Sequence, residues 1–439
     1  YSRFDYGVPP SKNGDYAFLL HIICSLKSTG SGAVILPHGV LFRGNAEANI
    51  RREIIKRGYI KGIIGLPPNL FYGTGIPACI IVLDKENATS RNSIFMIDAS
   101  SGFIKDGNKN RLRSRDIHKI VSVFTNKIEI KGFSRLVPVS EIIDSRNDYN
   151  LNLPRYIDSG HKDDIHDLSA HLNGGIPKRD VDDLQSYWDV LTSTREALFK
   201  QSSNPNYLIA SFQSDAIKAT ILDSTECQIF SSKVDATLEG WKDKYKPYLQ
   251  SINGGCKPKE VILEISEDLL SRFSTIPLLD KYDVFQNLMN YWLDVMQDDV
   301  YQISSEGWID ASKLRLIIDE KNKDKKVKET PDIVLGTGKK AEKFKAELIP
   351  PNLIVSSYFP SEKLVIDELE AQREEIIQEI EELTLEHSGE EGLLEDAKNN
   401  KGKLTKTSLK ERLKDIKSDA SFEDEIIVIK QAQRMLDKE

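Results

Sequence analysis

Apolar positions in the first hundred residues switch repeatedly between two spacings. Phe18, Leu19, Ile22, Ile23 and Leu26 recur three and four apart, predicting a helix that Asp15 caps and Ser28-Thr29-Gly30 ends. Gly32-Ala33-Val34-Ile35-Leu36-Pro37 is apolar without a break, the pattern of a strand covered on both faces in a parallel sheet. Residues 45–57 form a second, charged helical pattern closed by Gly58. Ile60 to Leu66, Ala78 to Leu83 and Ser93 to Ile97 are further apolar strands. Strand and helix alternating over short links predict a doubly wound α/β sheet. Three or four strands are too few to complete one, so the chain is expected to enter its sheet midway.

Beyond residue 161, long helical patterns rich in Asp, Lys, Leu and Trp take over. Between Tyr282 and Val300, the side chains of Phe285, Leu288, Met289, Trp292, Leu293 and Met296 fall on one face of a helix. Residues 320–345 are rich in Lys, contain Gly, and predict a flexible loop whose default role is a solvated linker. After Pro350-Pro351, Ile366, Leu369, Ile376, Ile380 and Leu383 occupy a and d positions, with Arg373 the polar exception. That is about two and a half heptads, short for a coiled coil. A helical hairpin with the last helix, Ile426 to Leu436, is the more economical reading. The expected organisation is an α/β domain over 1–160, a helical domain over 161–345 and a C-terminal hairpin or short coiled coil over 346–439.

A chain of 439 residues suffices for two or three domains with cores of their own. Its apolar runs fall short of the ~20 residues a membrane helix needs. No basic-then-apolar leader opens it, and four scattered cysteines (Cys24, Cys79, Cys227 and Cys256) suit reduced thiols. A cytoplasmic protein without a metal site is expected. The chain begins Tyr1-Ser2-Arg3-Phe4 with no initiator Met, which suggests a fragment. The net charge of −8 is uneven: residues 1–160 carry 22 Lys and Arg against 14 Asp and Glu. A basic first third on an acidic body suits a face turned to a phosphate backbone, although chance asymmetry between domains explains the charge equally well.

Candidate chemistry concentrates in Gly65-Leu66-Pro67-Pro68-Asn69-Leu70-Phe71-Tyr72-Gly73-Thr74-Gly75-Ile76-Pro77-Ala78-Cys79-Ile80. Two strands are joined there by a loop whose prolines stiffen it and whose glycines let its backbone pass close to a ligand. An aromatic side chain on such a loop, at the edge of an α/β sheet, has the geometry to stack on a flat base that has left its duplex. Taken alone, the loop reads more simply as Phe71 and Tyr72 plugging the sheet edge.

Four stretches then occur in order: Asp15-Tyr16-Ala17-Phe18-Leu19-Leu20-His21, Leu36-Pro37-His38-Gly39-Val40-Leu41-Phe42-Arg43-Gly44, the Gly65–Ile80 block, and Asp148-Tyr149-Asn150-Leu151-Asn152-Leu153-Pro154-Arg155-Tyr156. The series resembles the second half of the catalytic domain of modification (methyltransferase) subunits of type I restriction–modification systems, closely over residues 1–160 and more loosely beyond. The resemblance implies the second half of a class I S-adenosylmethionine-dependent methyltransferase sheet, Rossmann-like and mostly parallel with one antiparallel strand near its edge. Residues 32–37, 60–66 and 78–84 would be its fifth, sixth and seventh strands, followed by a largely α-helical C-terminal region. It implies adenine-N6 methylation of DNA, with Phe71, and Tyr72 as fallback, stacking on the flipped adenine. Lys12, Arg43, Arg51 and Arg52 are candidates for phosphate contacts, each an ordinary surface charge otherwise. His38 is a candidate for a hydrogen bond near the base pocket, with a turn residue the simpler reading. The implied partners are DNA, a specificity subunit and a second modification subunit, and whether a restriction (translocase) subunit joins them is left open.

Adenine-N6 chemistry needs an Asn/Asp-Pro-Pro-aromatic loop, and none of the three Pro-Pro pairs supplies it. Val8-Pro9-Pro10-Ser11, Leu66-Pro67-Pro68-Asn69 and Ile349-Pro350-Pro351-Asn352 all lack the preceding polar residue and the following aromatic. A cofactor loop should follow an early strand, whereas Gly30-Ser31-Gly32 precedes one. No catalytic residue is therefore expected in this chain. Alone it should not methylate DNA, and it should bind S-adenosylmethionine weakly or not at all. A competing expectation is a non-enzymatic helical interaction protein with an α/β scaffold at its head. A methyltransferase for RNA or protein fits the motif series less well.

Overall fold

Helix α1 (Asp15–Ser25) forms where the three-and-four spacing begins, and it buries Tyr16, Leu19, Leu20 and Ile23. Asp15 is its first residue and not its cap; the carboxylate turns aside to Arg43 at 2.8 Å. Helix α2 (Asn45–Lys56) buries Ile50, Ile54 and Ile55. Gly58 closes it with φ +68°, and a Cβ there would lie 2.0 Å from the Ala88 carbonyl oxygen, so no other residue fits. The computed structural model describes residues 2–160, 166–317, 329–338, 341–387, 392–399 and 402–438.

The apolar runs become β1 (Ser31–Pro37), β2 (Ile60–Gly65), β3 (Ala78–Asp84) and β4 (Ser93–Asp98). After the short hairpin β5 (Ile104–Asp106) and β6 (Lys109–Arg111) comes helix α3 (Ser114–Asn126), then a fifth sheet strand, β7 (Ser134–Pro138). The sheet order is β1-β3-β2-β4-β7. β3 runs antiparallel between β1 and β2, β2 and β4 are parallel, and β7 is antiparallel to β4. The sheet is thus mixed, with a strand beyond those the apolar runs predict. Among the described strands β1 pairs only with β3, so it forms one rim of the sheet.

Alternation along the strands divides two interiors. Ile63, Ile81, Leu83, Ile94 and Met96 pack against α1 and α2, while Ile64, Phe95 and Ile97 pack against Ile120 and Val123 of α3. Both faces are covered along β2, β3 and β4, as in α/β sheets generally, whereas on β1 Ala33 and Ile35 stay exposed.

The chain divides into two compact units, Tyr1–Ser305 and Glu306–Glu439. The first continues after the sheet into helices that include Thr225–Ser251, Pro258–Phe273 and Lys281–Tyr291. The helix predicted from Tyr282 to Val300 is interrupted by a π-helical turn, Trp292–Met296. Its extra residue rotates the following positions, so Trp292 stays buried while Leu293 turns out to solvent.

In the second unit, the flexible loop expected over 320–345 lies partly outside the described residues. The described part holds strands Ile333–Leu335 and Glu342–Lys345, which pair with each other and, through the latter, with Arg315–Leu316. Ion pairs from Arg315 to Glu329 and Glu347, and from Lys345 to Asp332, brace the small sheet. Helix Pro360–Glu386 meets the last helix, Glu423–Lys438, together with Lys406–Ile416, around Leu383, Leu409, Ile416, Val428 and Ile429.

Candidate functional site

The loop between β2 and β3 leaves the sheet where β1 and β2 end. The Leu66 amide donates to the Ala78 carbonyl at 2.9 Å and the His38 amide to the Pro77 carbonyl at 3.0 Å, which ties the loop's base to both neighbours. Within it Asn69 and Gly73 have φ +57° and +78°. Those turns carry Phe71 and Tyr72 outward, to 38% and 94% exposure. Phe71 lines a cavity of about 160 Å³ with Ile35, Leu36 and Pro37 from β1 and Thr74, Ile76 and Ala78 from the loop and β3. Its wall is apolar apart from the Thr74 side chain, which suits the face of a flat aromatic ligand. The ring of Phe71 belongs to the wall of an open cavity and does not plug the interior. Tyr72 does not line this cavity.

Sequence reading missed what holds this loop. Lys109 Nζ donates to the carbonyls of Phe71 at 2.7 Å and Thr74 at 3.1 Å. Asn110 donates its Nδ2 to the Pro68 carbonyl at 2.7 Å and its amide to the Asn69 carbonyl at 2.9 Å. Both residues sit on β6, and the hairpin turns at Gly107 with φ +58°. The Asp106-Gly107 pair was the available signal for that turn. Nothing in the pattern says that its side chains reach another loop's backbone.

The four candidate phosphate contacts separate. Arg51 is only 3% exposed and points inward. Its Nε donates to the Tyr149 carbonyl at 2.8 Å, and its Nη1 donates to those of Val40 at 3.2 Å and Arg43 at 2.9 Å. The expectation of a phosphate contact there is corrected: this guanidinium satisfies the backbone of the segment after β1. Tyr16 assists by donating to the Val40 carbonyl at 2.7 Å, and burial pushes its phenol up to about 12. Arg43 lies between Asp15 at 2.8 Å and buried Glu47 at 3.1 Å. Burial works against its charge, but the two carboxylates hold its pKa above the ordinary value. Arg52 bonds Asp148 at 2.9 Å and sits 5.1 Å from the centre of the Tyr149 ring. Lys12 is exposed. His38 follows β1, and its buried Nε2 has no hydrogen-bond partner. Desolvation lowers its pKa against the pull of Asp98, which favours the neutral ring.

Among the described residues no group of three or more His, Cys, Asp or Glu is placed to hold a metal ion, and no helix is long and apolar enough to cross a membrane. Residues 1–164, which contain the whole sheet, the cavity and the β5–β6 hairpin, match the family described as N-6 DNA Methylase.

That match takes in the first 164 of the chain's 439 residues.

Among curated methylases the chain is similar to the MjaVII type I restriction enzyme methylase subunit of Methanocaldococcus jannaschii. Identity is 39% over 156 residues, covering 34% of this chain and 26% of the relative. It is 35% identical over 167 residues to the MpnII methylase subunit of Mycoplasma pneumoniae, covering 38% of this chain and 30% of that one. Among solved structures, a type I methyltransferase subunit from Streptococcus thermophilus shares 42% identity, with a TM-score of 0.34, over 35% of this chain and 33% of that one. The chain thus spans between a quarter and a third of the length of these methylase relatives.

Proposed function

We propose that residues 1–160 form the second half of a class I methyltransferase sheet, and that the whole protein methylates adenine N6 in DNA as the modification subunit of a type I restriction–modification complex. The role assigned to this chain is capture of the extruded adenine. One observation carries that reading: Phe71 stands half exposed in the wall of an apolar cavity at the ends of β1 and β2. A purine leaving its stack loses π contacts, and an aromatic ring fixed beside an apolar slot replaces them. The open rim of β1 fits this reading too, because the backbone donors and acceptors on its outer side are where an earlier strand of the same sheet would pair.

The cofactor implied by the family is S-adenosylmethionine. The described residues do not fit it: Gly30-Ser31-Gly32 lies at the start of β1, at the opposite end of that strand from the cavity, and no Gly-rich turn leads from a strand into a helix. No step of methyl transfer is therefore derived for this chain, which alone should be inactive. Lys12 and Arg52 are the better proposals for phosphate contacts, since the charge of Arg43 is already balanced by two carboxylates.

For partners we propose a specificity subunit first and a second modification subunit next. Helix Pro360–Glu386 supports this by leaving Leu364, Val365, Ile366 and Leu369 more than half exposed. The reading is tested in the complete modification complex on a duplex carrying 2-aminopurine at the target adenine. Phe71→Ala should lower the fluorescence rise on that duplex and methylation of the same duplex with adenine at the target, while Phe71→Trp should keep the methylation. Unchanged activity in Phe71→Ala removes this loop from the site.

A further inference from the structure

We propose that the β5–β6 hairpin is a positioning element for the base-capturing loop, acting through Lys109 and Asn110. The proposal rests on the reading of Phe71 given above. The loop's two ends are fixed by the sheet ladder, but its tip has no ladder to fix it. Lys109 supplies the missing constraint. One ammonium group donates to the carbonyls of both Phe71 and Thr74, and these two residues flank Tyr72 and the left-handed Gly73. A single charged group thereby spans the tip and fixes the peptide that carries the aromatic ring.

Asn110 does the same for the loop's ascending arm, bonding the carbonyls of Pro68 and Asn69. Asn110 is itself buried, so that arm is held from a rigid position. Ammonium-to-carbonyl bonds are charge-assisted and stronger than neutral ones. They act on loop atoms that face solvent, so their loss should free the tip without unfolding the sheet. Lys109 touches neither base nor cofactor in this account. It acts only through the placement of Phe71.

The hairpin also provides a charge-matched control. Lys105 lies across from Asn110 in the register and is exposed, with no bond to the loop. Removing its charge changes the hairpin's net charge by the same unit as removing that of Lys109, but leaves the loop's carbonyl partners in place.

The test has two parts. In the full chain, hydrogen exchange over residues 66–78 is compared for wild type, Lys109→Met, Lys109→Arg and Lys105→Met. Lys109→Met should speed exchange in that segment by roughly tenfold, the effect of losing a charge-assisted bond. Lys109→Arg should restore much of the protection, and Lys105→Met should leave it unchanged. Unaltered exchange in Lys109→Met overturns the proposal. In the complete complex, the same variants and Phe71→Ala are read by 2-aminopurine fluorescence at matched DNA occupancy. Lys109→Met should weaken base capture by several-fold with DNA affinity close to that of Lys105→Met. If Phe71→Ala lowers the signal and Lys109→Met does not, the positioning role is wrong and the base-capture reading stands. If Phe71→Ala has no effect, the base-capture reading falls, and with it the function given to the hairpin.

Discussion

Strand β4 and helix Pro360–Glu386 are both rich in apolar residues, and their environments could hardly differ more. Ile94, Phe95, Met96 and Ile97 of β4 are all buried, on alternate faces of one sheet. In the helix Leu383 is buried, whereas Leu364 is 69% and Leu369 58% exposed. The strand is held by tertiary packing on two sides. Most of the helix rests on the good intrinsic propensity of its Glu, Leu and Gln residues. A site that must fix a ring to within an ångström belongs on the first kind of support. The second kind offers a ready surface for another polypeptide.

Substitutions can break or sharpen that contrast. Phe95→Ala should destabilise the folded first unit by about 3–5 kcal/mol, because the sheet cannot collapse around the void. Denaturant unfolding measures it; a loss below about 1 kcal/mol would mean that β4 is not the rigid support described. Arg51→Ala should cost on the order of 3 kcal/mol by leaving buried carbonyls unpaired, whereas the adjacent Arg52→Ala should cost under about 1 kcal/mol. Equal effects in the two arginine variants would contradict the inward placement of Arg51. Phe71→Ala should leave thermal stability nearly unchanged and weaken base capture by about 1–3 kcal/mol, the worth of a base stacked on an aromatic ring. On the helix, Leu364→Ala should shift stability by no more than about 0.5 kcal/mol, and Leu364→Glu should abolish association with a specificity subunit in size-exclusion chromatography.

The smallest effect concerns acid. Glu226 accepts the amides of Ser193 and Thr194 and the Thr194 hydroxyl, at the start of helix Thr192–Leu198. Those bonds to backbone and hydroxyl lower its pKa from 4.5 to about 2. A depressed carboxylate stabilises the fold fully above its unfolded pKa, and the contribution fades as pH falls from about 4.5 toward 2. Glu226→Gln should flatten the stability profile in that window and lower stability modestly at pH 7, where the wild-type carboxylate contributes in full. A variant whose acid limb overlays wild type would remove Glu226 from this role.

Four of the five sheet strands were legible because each is a run of apolar residues long enough to be covered on both faces. β7 was not: in Ser134-Arg135-Leu136-Val137-Pro138 only Ser134 and Val137 face inward, and Leu136 stays partly exposed. The π-helical turn was invisible because apolar spacing assumes a constant rotation per residue, and one inserted residue breaks it. In the candidate site, Phe71 could be found from its loop's chemistry and from the family resemblance. Lys109 and Asn110 could not, since they bond main-chain carbonyls, which every residue has and no pattern marks. Arg51 misled for the same reason: its side chain reads as surface charge until the folded chain brings three carbonyls to it.

The lone pairing of β1 has a consequence for handling the protein. Ser31 to Pro37 carries no charged residue, and Ala33 and Ile35 are exposed along it. Such a strand has none of the lysines or bulges that normally discourage a second molecule from zipping onto it. Concentrated solutions of the isolated polypeptide should therefore gel or precipitate through intermolecular ladders, and an Ile35→Lys substitution should keep them clear.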